Sequence, residues 1–336
     1  MNQSPSNKPG IVDPFGRTIT YLRLSVTDRC DFRCVYCMAE EMVFLPKKEL
    51  LSLEESLSIA RALVELGVTK IRLTGGEPLV RKNIGWLASK LGKLDGLNEL
   101  TLTTNGSQLE RYAKTLIESG VKRINISMDS TDPKEFRQIT RTGDIARVMK
   151  GIEAARQAGF ERIKINAVIM KGLNDQQILP LLEFCLARDL DISFIEEMPL
   201  GNITDHSRPL AFISSNEVRE KIATRYQLTP SIARTGGPSR YWQIPGQNIR
   251  IGFISPHSHN FCGDCNRVRL TAQGQLLLCL GHENAIDLRA VVRRYPGEIK
   301  PIQDALLGGI VNKPERHEFT HSDHLQVVRF MNMTGG

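Results

Sequence analysis

Cys30, Cys34 and Cys37 stand in a C-x3-C-x2-C run, with Arg23 upstream and Tyr36 directly before the last cysteine. Three thiolates this close can hold three irons of a 4Fe-4S cluster and leave the fourth iron open to a substrate. A structural zinc site closes its tetrahedron with four ligands, and no fourth Cys or His stands in or near the run. Nor is the segment an apolar core, because Asp31 and Arg33 lie between the cysteines. A second triplet, Cys262, Cys265 and Cys279, is spaced C-x2-C-x13-C, with Arg267 and Arg269 just after its second member. Here the spacing leaves two metals open, since His257, His259 or His282 could complete a Cys3His zinc site in place of a second cluster. The remaining cysteine, Cys185, falls in Leu181-Leu182-Glu183-Phe184-Cys185-Leu186 and reads as a helical core position.

Cations form a second group with chemical meaning. Arg23, Arg72 and Lys164 sit inside short apolar runs that read as strands, where a salt bridge or an outward orientation explains any one of them. A polyanion at one end of the sheet would give all three a charge-assisted partner. Arg267 and Arg269 are alternate residues and share a face if the chain is extended there. Gly75 and Gly76, in Thr74-Gly75-Gly76-Glu77-Pro78, make a turn without side-chain bulk, which would let backbone approach a ligand. An ordinary strand-to-helix turn has the same composition.

The chain has 336 residues and a formal charge of +7, so anionic partners are favoured. Lys and Arg are spread along it and aromatics are few, which argues against nucleic acid and for a small polyanionic substrate. No apolar run is long enough to cross a bilayer, and the first 16 residues are polar and rich in Pro, Asn and Ser. Seven cysteines with metal-like spacing fit a reducing compartment better than a disulfide framework. The expectation is a cytoplasmic protein with a flexible lead over 1–16.

The elements that must position these residues are βα units. Tyr21-Leu22-Arg23-Leu24, Lys70-Ile71-Arg72-Leu73, Leu100-Thr101-Leu102, Arg123-Ile124-Asn125-Ile126, Ile163-Lys164-Ile165-Asn166 and Ile192-Ser193-Phe194-Ile195 read as strands. Between them, stretches such as 53–66, closed by Gly67, and 144–158 carry apolar residues at helical intervals. The predicted class is α/β: a partial (βα)6 TIM-type barrel over 17–200, with a C-terminal extension over 201–336 carrying the second cysteine triplet. After the strands come Thr74 to Pro78, Thr103 to Gly106, Ser127 to Ser130 and Glu196 to Pro199, which a barrel gathers at one mouth. Beyond Pro199 the alternation fades, and Thr235 to Pro245 reads as turns.

The stretch from Tyr21 to Met38 resembles the radical S-adenosylmethionine enzymes, in which the amino and carboxylate groups of S-adenosylmethionine occupy the open iron. More of the chain is similar to one family within them, the GTP 3',8-cyclases of molybdenum cofactor biosynthesis. The matching parts are both cysteine triplets, Thr74 to Pro78, Thr103 to Gly106, Glu196 to Pro199, Gly252-Phe253-Ile254-Ser255-Pro256, Phe261 to Thr271 and the Gly335-Gly336 end. Met128, where leucine is usual, is a small departure.

The resemblance settles the second triplet as a second 4Fe-4S cluster, with guanine at its open iron. It implies S-adenosylmethionine contacts from Tyr36, Gly76, Ser127 and Met198. It implies GTP contacts from Arg23, Arg72, Thr103, Lys164, Arg267, Val268 and Arg269, with Arg23, Arg267 and Arg269 at the chemistry and the double-glycine tail reaching into the site. The implied reaction is abstraction of hydrogen from the ribose 3' carbon of GTP by a 5'-deoxyadenosyl radical, then closure onto carbon 8 of guanine. Implied partners are an unidentified electron donor and, downstream, the cyclic pyranopterin monophosphate synthase; a homodimer is compatible with this, nucleic acid and membrane are not. Two other readings are a radical enzyme that modifies peptides with an auxiliary cluster, and a zinc-stabilised nucleotide-binding module without catalysis.

Overall fold

The computed structural model describes residues 10–320 and 326–335. All six expected strands are present: β1 (Tyr21–Ser25), β2 (Lys70–Thr74), β3 (Glu99–Thr104), β4 (Val121–Ser127), β5 (Arg162–Ile169) and β6 (Asp191–Glu196). Each pairs in parallel with the next. The crossovers are helical, beginning with Leu53–Glu65, whose Ser52 and Glu55 form a reciprocal capping box, and Gly67 follows with φ +102°. Further helices span Ile84–Leu91, Leu109–Glu118, Pro133–Thr140, Ile145–Ala158 and Ile178–Leu186. Cys185 lies in the last of these and is fully buried, as its sequence context predicts.

The strands alternate with an unusual sense. Leu22, Leu24, Ile71, Leu73, Leu102, Ile124, Ile126, Ile165 and Ile192 join the helices in one apolar core. The alternate positions carry Arg23, Arg72, Asn125, Lys164 and Asn166, which line a cavity instead. The hydrophobic core therefore lies between sheet and helices, leaving the barrel interior to polar and charged groups.

Six more strands follow: β7 (Thr229–Pro230), β8 (Arg240–Gln243), β9 (Ile251–Ile254), β10 (Arg267–Leu270), β11 (Gln275–Leu277) and β12 (Ala285–Asp287). β9 adds in parallel to β6 and β10 adds in parallel to β1, so the C-terminal region supplies strands to both edges of the six-stranded sheet. The resulting twelve-stranded order, β12-β11-β10-β1-β2-β3-β4-β5-β6-β9-β8-β7, remains open between its two ends. Edge strands carry unpaired backbone donors and acceptors, and this addition satisfies them. The turn-rich segment from Thr235 to Pro245 is in part a strand, since β8 lies within it.

From Gly10 the lead is tied down: Ile11 is buried, its carbonyl accepts from Ile19 N at 2.8 Å, and Arg17 donates to the carbonyls of Cys262 and Pro314 at 2.9 and 2.7 Å. Residues 1–9 and Gly336 lie outside the described residues. Among the described residues, no helix is long and apolar enough to cross a membrane.

Candidate functional site

Between β1 and the first helix runs a long loop that carries the first cysteine triplet. It is strapped to the end of helix Pro133–Thr140 by Arg33 N to Thr140 O at 2.9 Å and Val35 N to Ile139 O at 3.0 Å. Asn105, in the turn after β3, donates to Asp31 at 2.7 Å and approaches the Cys30 sulfur at 3.7 Å. Cys30, Cys34 and Cys37 face a cavity of about 990 Å³ together with Tyr36, Gly75, Gly76, Thr103, Ser127 and Met198. Tyr36 donates to Asp129 at 2.7 Å, and Asp129 also accepts from Val168 N at 2.8 Å, so the ring beside Cys37 is held in place.

The glycine pair has a reason that the sequence did not reveal. Gly76 N donates to Thr27 O at 2.8 Å, and a Cβ on Gly76 would collide with the carbonyl of Arg29. A Cβ on Gly75 would lie 2.7 Å from Thr27 O. Close backbone approach is thus required here by the neighbouring 27–29 segment of the chain itself, which enters the cysteine loop, as well as leaving room in the cavity.

A second cavity, of about 1120 Å³, lies along the barrel interior. It is lined by Arg23, Lys70, Arg72, Lys164, Arg267 and Arg269, and by Cys262, Cys265 and Cys279. The strand registers explain the gathering: Arg23 lies opposite Arg72 on β2 and Arg269 on β10, while Tyr21 lies opposite Lys70 and Arg267. Asn166, Ile195, Met198 and Met331 border both cavities, which therefore meet along one wall.

This interior holds more positive charge than its acids balance. Lys70 pairs with Glu99 at 2.8 Å and Arg72 donates to Tyr21 at 2.7 Å, but among the described residues the one hydrogen bond of Lys164 goes to the Tyr241 hydroxyl, at 3.4 Å. Burial, with Arg72 nearby, lowers the Lys164 pKa. Burial brings Arg23 down to about 10, and burial with Arg23 and Arg267 beside it holds Arg269 well below the arginine range. Burial would raise the Tyr21 phenol, but Arg72, Arg23 and Lys70 outweigh it and bring it to about 7. The Nε atoms of Arg23 and Arg267, and Asn166 Oδ1, are buried without a hydrogen-bond partner among the described residues. An anion in the cage would supply the counter-charge and acceptors that these groups lack.

The C-terminal tail enters this cage. Gly335 O accepts from Arg269 at 2.7 Å and from Arg23 at 3.4 Å. Met331 N donates to Cys37 O at 3.2 Å and Asn332 to Asp28 O at 2.8 Å, so the tail also braces the first cysteine loop.

The expected residues gather as two sets. Tyr36, Gly76, Ser127 and Met198 line the first cavity, and Arg23, Arg72, Lys164, Arg267, Val268 and Arg269 line the second. Thr103, expected on the GTP side, instead lines the cavity of the first triplet, where its Oγ1 accepts from Arg72 at 3.3 Å. Lys70, Asn125 and Asn166 were missed; the signal was available, since each stands at an alternate position of its strand in phase with a residue already singled out. Phe261 adjoins Cys262 but was given no role, and nothing in the spacing of His317 and Phe319 points to the cavity that all three line.

Each triplet presents three thiols to one cavity, the number that a cluster with one open iron takes. Among the described residues, no set of three or more His, Cys, Asp or Glu converges on a single ion. His257 and His282, which could have completed a zinc site, hydrogen-bond the carbonyls of Glu197 and Arg316 at 2.9 and 3.0 Å. Burial raises the pKa of Cys30 and Cys34 strongly, and of Cys37 to about 12, so these thiols become ligands only against a cationic partner. Burial also pushes Cys265 up, but Arg267 and Lys313 outweigh it and the net shift is downward.

Comparison with known proteins agrees with this geometry. Residues 24–185 match the family model of the Radical SAM superfamily, and 190–319 match Molybdenum Cofactor Synthesis C. The chain is 59% identical over 333 residues to a GTP 3',8-cyclase of Pseudomonas savastanoi pv. phaseolicola, covering 98% of this chain and 100% of that one. It is 56% identical over 326 residues to a GTP 3',8-cyclase of Saccharophagus degradans, covering 97% and 98%. Among solved structures, SuiB of Streptococcus suis shares the fold with a TM-score of 0.62 at 18% identity, covering 88% of this chain and 69% of that one.

Proposed function

The chain belongs to the GTP 3',8-cyclase family of radical S-adenosylmethionine enzymes, and from this we infer that its two adjoining cavities hold S-adenosylmethionine and GTP so that the adenosyl 5' carbon faces the ribose 3' carbon. The enzyme converts GTP to (8S)-3',8-cyclo-7,8-dihydroguanosine 5'-triphosphate, the first step of molybdenum cofactor biosynthesis. It uses an iron-sulfur cluster and S-adenosylmethionine. The finer assignment is that Cys30, Cys34 and Cys37 hold one 4Fe-4S cluster and Cys262, Cys265 and Cys279 a second. The first cluster, when bound, supplies the electron that cleaves S-adenosylmethionine to methionine and a 5'-deoxyadenosyl radical.

The remaining work falls to this chain. Arg23, Arg267 and Arg269 are proposed to anchor the triphosphate in the cage, with Arg72 and Lys164 adding charge and Val268 packing beside them. Thr103, bound to Arg72, orients that guanidinium from the other cavity. Tyr36, Gly76, Ser127 and Met198 are proposed to hold the cosubstrate across the shared wall. Pre-paid orientation of this kind and exclusion of water are what a reactive radical demands. An electron donor and the cyclic pyranopterin monophosphate synthase are proposed as functional partners, and a homodimer is compatible with the fold.

The observation that supports this reading best is the contact of the two cavities at Asn166, Ile195, Met198 and Met331. Anaerobic reconstitution with iron and sulfide, then addition of reductant, S-adenosylmethionine and GTP, tests it. The expected result is about eight irons per chain and GTP-dependent cyclised nucleotide. About four irons with bound zinc would overturn the second cluster, and absence of the nucleotide with both clusters present would overturn the substrate.

A further inference from the structure

Lys313 follows the short turn of helix at Ile310–Asn312 and is almost entirely buried, at 3% exposure. Its Nζ lies 2.5 Å from Leu278 O, 3.3 Å from Arg267 O and 3.7 Å from Cys265 Sγ. An ammonium has three protons, and here three acceptors surround it. Leu278 immediately precedes Cys279 and Arg267 follows Cys265 by two, so this one side chain joins the segments that carry two of the three cysteines. Among the described residues no carboxylate pairs with Lys313. A buried cation without a counter-charge is costly, and the Cys265 sulfur is the one contact that can carry a negative charge.

We propose that Lys313 is the counter-charge and hydrogen-bond donor of the second iron-sulfur site, a positioning residue that holds Cys265 and Cys279 together and raises the reduction potential of the group they bind. Hydrogen bonds and positive charge at a cluster's sulfur ligands stabilise the more negative, reduced state. This role is separate from nucleotide binding, because Lys313 does not line the cavity that takes the polyanion. The proposal rests on the two-cluster reading above.

The test is a redox titration of reconstituted full-length enzyme, without nucleotide, followed by electron paramagnetic resonance, with iron counted on the same samples. In Lys313→Met and Lys313→Gln the second cluster should titrate at a more negative potential than in wild type, while the first cluster, the internal reference, stays unmoved. Lys313→Arg should restore the potential most of the way, and should retain iron if Lys313→Met loses it. An unmoved potential in Lys313→Met with about eight irons present would overturn the role of Lys313 and leave the two-cluster reading intact. Equal loss of four irons in the Met and Arg variants would show a purely steric role and overturn it too. Only about four irons in the wild type would remove the premise itself.

Discussion

Glu77 shows how the cysteine loop is held by buried polar groups. It is fully buried and accepts from Asn105 N at 2.6 Å, Thr104 Oγ1 at 2.8 Å and Leu79 N at 3.0 Å. Those bonds favour the carboxylate, yet burial outweighs them and lifts the carboxyl from 4.5 to about 7. A carboxyl raised on folding stabilises the fold fully below its unfolded value, and the contribution is lost as pH climbs through the folded one. Against the non-titrating variant Glu77→Gln, metal-free wild type should lose about 3 kcal/mol of relative stability between pH 4 and 8. Denaturation midpoints of the two proteins across that range check this; a constant difference would refute it. The cysteines make a sharper pair. Cys30→Ala should abolish 5'-deoxyadenosine formation, whereas Cys279→Ala should remove about four irons and weaken GTP binding. Nucleotide cyclisation retained in Cys30→Ala would sink the assignment. At this scale the sequence was readable where chemistry fixes residue types, as at the cysteines, and unreadable at Lys313, which stands in a polar run resembling any exposed loop.

Helix Ile145–Ala158 tests the element scale, because it carries a glycine, Gly151, at its centre. Helix propensity alone would favour alanine there by about 1 kcal/mol. A Cβ at Gly151, however, would collide with the carbonyl of Gly106, in the turn after β3 that braces the cysteine loop. Overpacking costs about 1–3 kcal/mol and the obstacle is backbone, so the clash should win. Gly151→Ala is therefore expected to lower stability by up to about 2 kcal/mol, read from the urea midpoint, and to loosen the Asn105 contact with the first cysteine loop. A stabilised variant would show that the helix slides freely. The six βα strands were legible because their β-branched runs and crossover helices are local features. β9 and β10 were not, since they pair with β6 and β1 across long stretches of chain. The Arg267 and Arg269 alternation puts both on one face only if the segment is extended, and β10 is. Nothing local says that its neighbour is β1, which brings Arg269 opposite Arg23.

The molecule as a whole is a barrel whose interior repels itself. Lys164 is the clearest case, a part-buried cation whose one hydrogen bond among the described residues goes to the Tyr241 hydroxyl at 3.4 Å, and whose pKa burial and Arg72 lower. Filling the cage with a polyanion should relieve that strain. At a ligand concentration near 100 times Kd the gain is about 2.7 kcal/mol, which for a chain of this size means a Tm rise of several degrees. Inorganic triphosphate should reproduce much of the shift, guanosine little of it, and added salt should shrink it by screening. Lys164→Met, which replaces the cation with an apolar chain of similar length, is expected to stabilise the ligand-free protein by about 1 kcal/mol or more while reducing the GTP-induced rise. Thermal denaturation of both proteins with each ligand separates these terms. If guanosine stabilised as well as GTP, or if Lys164→Met destabilised the empty protein, the interior would be a packed core carrying charge by accident rather than a site built for phosphate.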